Sequence, residues 1–307
     1  MQQSGLLNSF QEIHYPPVLN SGIKLFVLRD DLIHPFLSGN KWRKLKYNLP
    51  AVLSATPAVL VTYGGVWSNH LVATAAAGKI FGFKTIGIVR GDEGVSNEAL
   101  QFMKECGMQL HFITREHYRL KNLPEFTTLL ESSLRKMYPG LLGERPIFFL
   151  PEGGSNEAAV KGCEEIPAAI PLHSDFIACA CGTGATLAGI AKAMKGNQKA
   201  IGISVLKGET FLEESILKLG ARRSQFEIRH EFNFGGYAKK DKELIDFCKE
   251  FHRETSVPVE PVYTGKLFFG LVRLITNGYF PKGSVVTAIH TGGIFDFTKT
   301  PEKQPFL

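Results

Sequence analysis

Short runs of almost wholly apolar residues alternate along this chain with longer segments whose apolar positions recur every three or four residues. Ala58–Tyr63 (AVLVTY), Lys84–Arg90 (KTIGIVR), Gln109–Ile113 and Pro146–Leu150 (PIFFL) read as strands in the first half. Asp175–Ala180 (DFIACA), Ala200–Leu206 (AIGISVL) and Ser284–His290 (SVVTAIH) read as strands in the second. Helices are predicted between them. They cover Ser68–Gly78, Ser96–Cys106 with Gly107 as its stop, Glu157–Glu165, Thr186–Lys195, Thr210–Leu219, Lys240–Thr255 and Lys266–Thr276. Phe126, Leu129, Leu130 and Leu134 share one face of a further helix. Strands without in–out alternation are buried on both faces, and strands separated by helices run parallel. The pattern predicts an α/β protein with parallel-rich, open twisted sheets flanked by helices. Such sheets place ligands beyond the carboxyl ends of their strands, so the strand-to-helix turns are where chemistry is expected.

At 307 residues the chain has room for about two domains. Its 44% hydrophobic and 21% charged content exclude a disordered chain, a collagen and a small disulfide scaffold. Thirty-five Lys and Arg against 29 Asp and Glu leave only a mild excess of +6, too small to argue for nucleic acid. The cysteines, Cys106, Cys163, Cys179, Cys181 and Cys248, are odd in number, scattered and without a CxxC pair. Free thiols in a reducing compartment are expected, and no metal site. The stretch MQQSGLLNSFQEIHY lacks the basic and apolar regions of a signal peptide, and no stretch reaches 18 apolar residues. A soluble cytoplasmic protein without a membrane span is expected. Lys121–Pro146 is the most polar and irregular stretch, and marks a return from a smaller unit to a larger one.

Several turns carry candidate chemistry. Cys181-Gly182-Thr183-Gly184-Ala185-Thr186 joins a strand to a helix, and its small residues let backbone N–H groups converge on an anion such as phosphate. The dinucleotide fingerprint would need Gly at Leu187 and an acid after the next strand, which ends in Leu206-Lys207. A nucleotide-dependent oxidoreductase therefore rests on the turn alone. Ser38–Tyr47 (SGNKWRKLKY) is either a solvated basic helix face or the site of a lysine bonded to a cofactor aldehyde. Gly64-Gly65-Val66-Trp67-Ser68-Asn69-His70 supplies an N-cap serine and also the makings of a carboxylate cradle. Pro261–Lys266 (PVYTGK), His290-Thr291-Gly292-Gly293 and, more weakly, Gly235-Gly236-Tyr237 are further turns of this kind.

Taken in order, GNKWRKLKY, GGVWSNH, PEGGSN (Pro151–Asn156), GTGAT, PVYTGK and HTGG resemble the D-cysteine desulfhydrase / 1-aminocyclopropane-1-carboxylate (ACC) deaminase family. These are pyridoxal-5′-phosphate (PLP) enzymes of the tryptophan synthase β-like fold, fold type II. The matches span Gly39 to Gly293. The resemblance implies that Lys41 bonds to the cofactor aldehyde and that Asn69 meets the cofactor's phenolic oxygen. It implies a phosphate loop of Thr183, Gly184, Ala185 and Thr186, and Thr264 and Thr291 as cofactor contacts, Thr291 near the pyridine nitrogen. Ser68, Asn69 and His70 would hold the substrate carboxylate, with Ser68 also able to handle a proton. Tyr237 and Tyr263 would be the two active-site tyrosines. It further implies a large PLP-binding domain, 1–43 plus 145–307, with a small inserted α/β domain, 44–144, and a homodimer acting on a small amino acid. ACC deaminases proper carry glutamate where Thr264 stands. A hydroxyl holds a protonated pyridine poorly, which favours D-cysteine desulfhydrase chemistry, with ACC deamination as the alternative. Trp67 is bulky enough to narrow the pocket. A non-catalytic PLP or amino-acid binder would keep the same motifs.

Overall fold

The computed structural model describes residues 9–55, 57–208 and 210–302, so the first eight residues of the N-terminal stretch lie outside it. Two sheets organise the chain. Its strands are β1 (Phe10–Glu12), β2 (Lys24–Leu28), β3 (Val59–Gly65), β4 (Lys84–Arg90), β5 (Gln109–Ile113), β6 (Ile147–Leu150), β7 (Phe176–Cys181), β8 (Lys199–Ser204), β9 (Phe226–Arg229) and β10 (Val285–Ile289). One sheet runs β1-β2-β10-β7-β8-β9 and the other β5-β4-β3-β6. Among the described residues only β1–β2 is antiparallel; every other pairing is parallel. The predicted α/β class and its parallel sheets are those observed.

The helices cover both faces of both sheets, as the near-continuous apolar strands require. Those of seven or more residues among the described residues are α1 (Asn40–Lys46), α2 (Asn69–Phe81), α3 (Glu98–Glu105), α4 (Pro124–Met137), α5 (Glu157–Cys163), α6 (Ala185–Ala193), α7 (Thr210–Lys218), α8 (Lys242–Thr255) and α9 (Thr264–Thr276). In the smaller sheet Leu60 and Val89 pack with Leu71, Val72, Phe102 and Met103 of α2 and α3. Val59, Val61, Ile86 and Ile88 pack with Leu130 and Leu134 of α4 on the opposite face. In the larger sheet Ala178, Ile201 and Ile203 meet Phe251, Leu267 and Leu271 of α8 and α9. Ile177 and Cys179 meet Val160, Ala188 and Ile216 of α5, α6 and α7. All five cysteines are buried and free.

Three features depart from the sequence pattern. β1, β2 and β9 had no strand signal assigned to them; β1 and β9 are edge strands of three and four residues, too short for periodicity to register. The helix expected through Phe126–Leu134 is the fourteen-residue α4, started by Pro124 at its first position, so the Lys121–Pro146 stretch is polar without being irregular throughout. Leu130 and Leu134 are buried as expected, but Leu129 turns outward with Met137 and the polar residues on the exposed face of that helix. The division at residue 144 leaves β6 in the large domain, yet Ile147–Leu150 pairs with Val59–Thr62 and extends the smaller sheet to Leu150.

The basic run from Lys41 to Lys46 is not a solvated face. Arg43 and Lys44 are buried. Arg43 donates Nε and Nη2 to the two carboxylate oxygens of Asp30, which is itself only 2% exposed. A buried guanidinium needs this bidentate compensation. Glycines set how closely α5 approaches its neighbours α1 and α6. A Cβ on Gly162 of α5 would stand 1.8 Å from the Arg43 carbonyl oxygen, and one on Gly189 of α6 would stand 2.5 Å from Cys163 Cβ. Gly162→Ala is expected to lower the unfolding free energy by about 2–3 kcal/mol in urea titrations, through overpacking at α1. Gly140→Ala, where an added Cβ meets nothing within 4 Å, is expected to change it by less than about 0.5 kcal/mol.

Candidate active site

A cavity of about 210 Å³ opens where the carboxyl ends of the two sheets face each other. Gly65 and Arg90 end β3 and β4, Glu152 and Gly153 follow β6, Ala180–Gly184 close β7, and Thr291 follows β10; all line it. The sheet topology alone predicts a ligand site here.

Lys41 projects into this cavity from the first turn of α1. The approach to α1 is tight. Gly39 has φ +60°, and a Cβ there would stand 2.1 Å from the Thr291 carbonyl oxygen. The Lys41 amine donates to Asn40 Oδ1 at 2.8 Å, and Asn40 Nδ2 donates to Thr186 Oγ1 at 2.9 Å. Desolvation, reinforced by the neighbouring Lys44 charge, pushes the Lys41 amine down to about 7. A substantial neutral fraction at neutral pH makes it a nucleophile.

Linked to Lys41 through Asn40 and Thr186 is an anion cradle. Gly184, at φ +88°, is the N-cap of the nine-residue α6 and supplies no side-chain cap. The first-turn N–H groups are left for a ligand, and the helix N-terminus favours negative charge. Thr183 and Thr186 bring hydroxyls to the same wall. Ala185, expected in the same loop, does not line the cavity; its side chain is fully buried in the core. Lys44 was not among the residues expected from sequence. It is 3% exposed, lines the cavity, and donates Nζ to the Gly153 carbonyl at 3.1 Å. A cation and a helix N-terminus at one wall suit a phosphate.

The smaller sheet supplies a second helix N-terminus. Ser68 caps α2 by accepting from the Leu71 N–H at 3.3 Å. A Cβ on Gly64 would stand 2.4 Å from Ser68 Oγ, so glycine there permits the close turn. Asn69 lines the cavity and reaches across to the β10 loop, where its Nδ2 lies 2.6 Å from the place a Gly293 Cβ would take. His70 differs from its expected role. It is 2% exposed, and its Nε2 lies 2.8 Å from Thr62 Oγ1, which spends its own proton on the Leu150 carbonyl. The network therefore assigns the proton to Nε2 and leaves Nδ1 a bare acceptor. Burial and the charges of Lys41 and Lys44 hold the ring neutral. The side chain cannot donate to a carboxylate through Nδ1; what His70 offers such a group is its backbone N–H.

Tyr237 and Tyr263 face each other with ring centroids 6.1 Å apart, and both line the cavity. Burial pushes both hydroxyls up, so each holds its proton at neutral pH. The loop bearing Tyr237 is tied down by Lys266, whose Nζ donates to the carbonyls of Asn233 and Gly236 at 2.8 and 2.7 Å. Thr291 lines the cavity; Thr264 does not. Thr264 is fully buried, and its hydroxyl accepts from the Glu260 N–H at 3.0 Å. Glu260 in turn accepts the N–H groups of Val262, Tyr263 and Thr264 at 2.6, 2.8 and 2.9 Å. Desolvation pushes this carboxyl up to about 7 against those bonds. An acid just ahead of a helix is a legible start signal, but the motif drew attention to the tyrosine and not to Glu260. Trp67 is 54% exposed and off the cavity wall, so it does not narrow the pocket.

The fold and this donor set define a class: an α/β enzyme that presents a poised amine beside an anion cradle, as a cofactor with an aldehyde and a phosphate requires. The chain belongs to the family described as pyridoxal-phosphate dependent enzyme, which it matches over residues 13–292. It is 31% identical to a putative 1-aminocyclopropane-1-carboxylate deaminase of Pyrococcus furiosus, over 92% of this chain and 89% of that one. It is 30% identical to the bifunctional D-cysteine desulfhydrase/1-aminocyclopropane-1-carboxylate deaminase, mitochondrial, of Arabidopsis thaliana, over 91% of this chain and 74% of that one. A solved ACC deaminase homologue superposes with TM-score 0.76 at 29% identity, covering 93% of this chain and 89% of that one. The cofactor is PLP, and the fold is PLP fold type II.

The low pKa of Lys41 has a measurable consequence. The rate at which added PLP acquires its protein-bound absorbance is expected to rise about tenfold between pH 6 and pH 8, following the neutral amine, and then to level. A rate still climbing steeply above pH 9 would show an ordinary lysine. Lys41→Ala is expected to bind PLP without that covalent absorbance.

Proposed function

We propose that this chain is a PLP-dependent lyase of small amino acids that converts D-cysteine and water into pyruvate, ammonia and sulfide. One observation carries the choice of reaction: at the β10 end the group that lines the cavity is the Thr291 hydroxyl, while the nearby Glu260 carboxylate accepts the N–H groups of Val262, Tyr263 and Thr264. A hydroxyl stabilises a protonated pyridine poorly. Sulfide is a good leaving group and asks less of the electron sink than opening a cyclopropane ring. The bifunctional name of the Arabidopsis relative supports the assignment.

When bound, PLP supplies the sink for the electron pair left as the Cα proton departs. The residues of this chain do the rest. Ser68 and the first N–H groups of α2 hold the substrate carboxylate. With substrate bound, the Lys41 amine would accept the Cα proton. The Cβ–S bond then breaks with its electron pair going to sulfur, and Tyr237 or Tyr263 protonates the leaving thiolate. Lys44 and the α6 N-terminus hold the phosphate. The small inserted unit closing on the large one excludes water from the site. The proposal includes a homodimer in the cytoplasm; the five buried free thiols suit a reducing compartment. Among the described residues no helix is long and apolar enough to cross a membrane.

ACC is the second substrate to consider, favoured by the name of the Pyrococcus relative. Purified, PLP-loaded protein is expected to release sulfide and pyruvate from D-cysteine and much less from L-cysteine. Release of 2-oxobutyrate from ACC, with D-cysteine inert, would overturn the assignment. Tyr263→Phe is expected to lower the D-cysteine rate by about 10²–10⁴-fold if its proton goes to the leaving group, with KM little changed.

A further inference from the structure

The cavity has a charged wall that the steps above do not use. Arg90 ends β4 opposite Gly65 in the register of the small sheet. Its Nη2 lies 3.6 Å from the place a Gly65 Cβ would occupy, beside the turn that leads to Ser68. Its charge is felt at the Tyr237 hydroxyl, as is that of Glu152. Arg90 therefore stands between the carboxylate cradle and the tyrosines, on the wall of the cavity.

The guanidinium is held in place but not neutralised. Its central carbon sits 5.3 Å from the centroid of the Tyr118 ring, which is 2% exposed. The same ring carries Lys121, with Nζ at 4.8 Å. Glu152 is already engaged, at 3.4 Å from Lys121 Nζ. Among the described residues no carboxylate lies within ion-pairing distance of Arg90. Arg90, Lys121 and Glu152 thus leave one positive charge in excess, on a planar donor anchored by an aromatic ring and facing a cavity.

We propose that Arg90 is the specificity residue for the substrate's side chain. It selects short amino acids whose side chain ends in an anion, or in a group that becomes one as it leaves. Cysteine thiolate is the smallest such group, and a carboxylate of similar reach belongs to the same class. The inference rests on the lyase assignment and narrows its substrate class. It also separates D-cysteine from ACC, which has no anionic side-chain group for Arg90 to meet.

The test is a binding titration of the PLP-loaded protein, read from its visible absorbance, with aspartate against asparagine and glutamate against glutamine in both enantiomers. Each pair is nearly isosteric and differs in the distal charge. At least one acid is expected to bind ten or more times tighter than its amide. Arg90→Met is expected to abolish that preference while leaving the amide's affinity within about twofold, and Arg90→Lys to retain part of it. Three outcomes would overturn the proposal: no acid preference in the native protein, a preference that survives in Arg90→Met, or equal weakening of acid and amide. The last would place Arg90 on the α-carboxylate. A protein that takes up no PLP would instead remove the lyase assignment, and this inference with it.

Discussion

A seven-residue helix cannot hold a reactive amine in place through its own backbone bonds. Everything else in the site depends on α1 being fixed from outside. The buried Arg43–Asp30 pair does this electrostatically. Gly162 does it sterically, by admitting the Arg43 carbonyl to a distance no side chain would allow. Gly39 and the β10 loop close the other side. With α1 clamped, Lys41 is oriented into a desolvated cleft beside Lys44, and both effects lower its proton affinity. The stability of this corner and the reactivity of the amine therefore have one origin.

The two sheets divide the remaining work. The larger one ends in an uncapped helix and a lysine, the chemistry of a phosphate site. The smaller one ends in the Ser68 turn, Arg90 and Glu152, the chemistry of a substrate site. Each sheet offers a helix N-terminus, so the cavity between them favours two anionic groups at once. The tyrosines and His70 are kept uncharged by burial, which reserves the ionic interactions for ligands.

Much of this was legible in the chain. Strands such as AVLVTY and AIGISVL declare a parallel sheet because a strand buried on both faces has no polar side. The glycine-rich turn after DFIACA declares an anion site because only small residues let N–H groups converge. The motif order led to Lys41, Asn69, Tyr237, Tyr263 and Thr291, and the fold gathers these around one cavity. Thr264 was legible as a residue but not as a position: its hydroxyl turns back to Glu260, which a linear motif cannot show.

The sequence by itself determined the class of fold and the turns where chemistry sits, since periodicity and local turn chemistry depend on near neighbours; the cofactor followed from the order of the motifs, which resembles that of a known family. Only the tertiary structure decided which charges are buried and with what partners. Arg43 and Lys44 look like Lys46 along the chain, yet one is paired to Asp30, one faces the cavity, and Lys46 reaches Glu165 near the surface. Arg90 and Glu152 are 62 positions apart in the numbering and share a wall because β4 and β6 flank β3. Desolvation and pairing are set by contacts distant in sequence, and no local pattern encodes them.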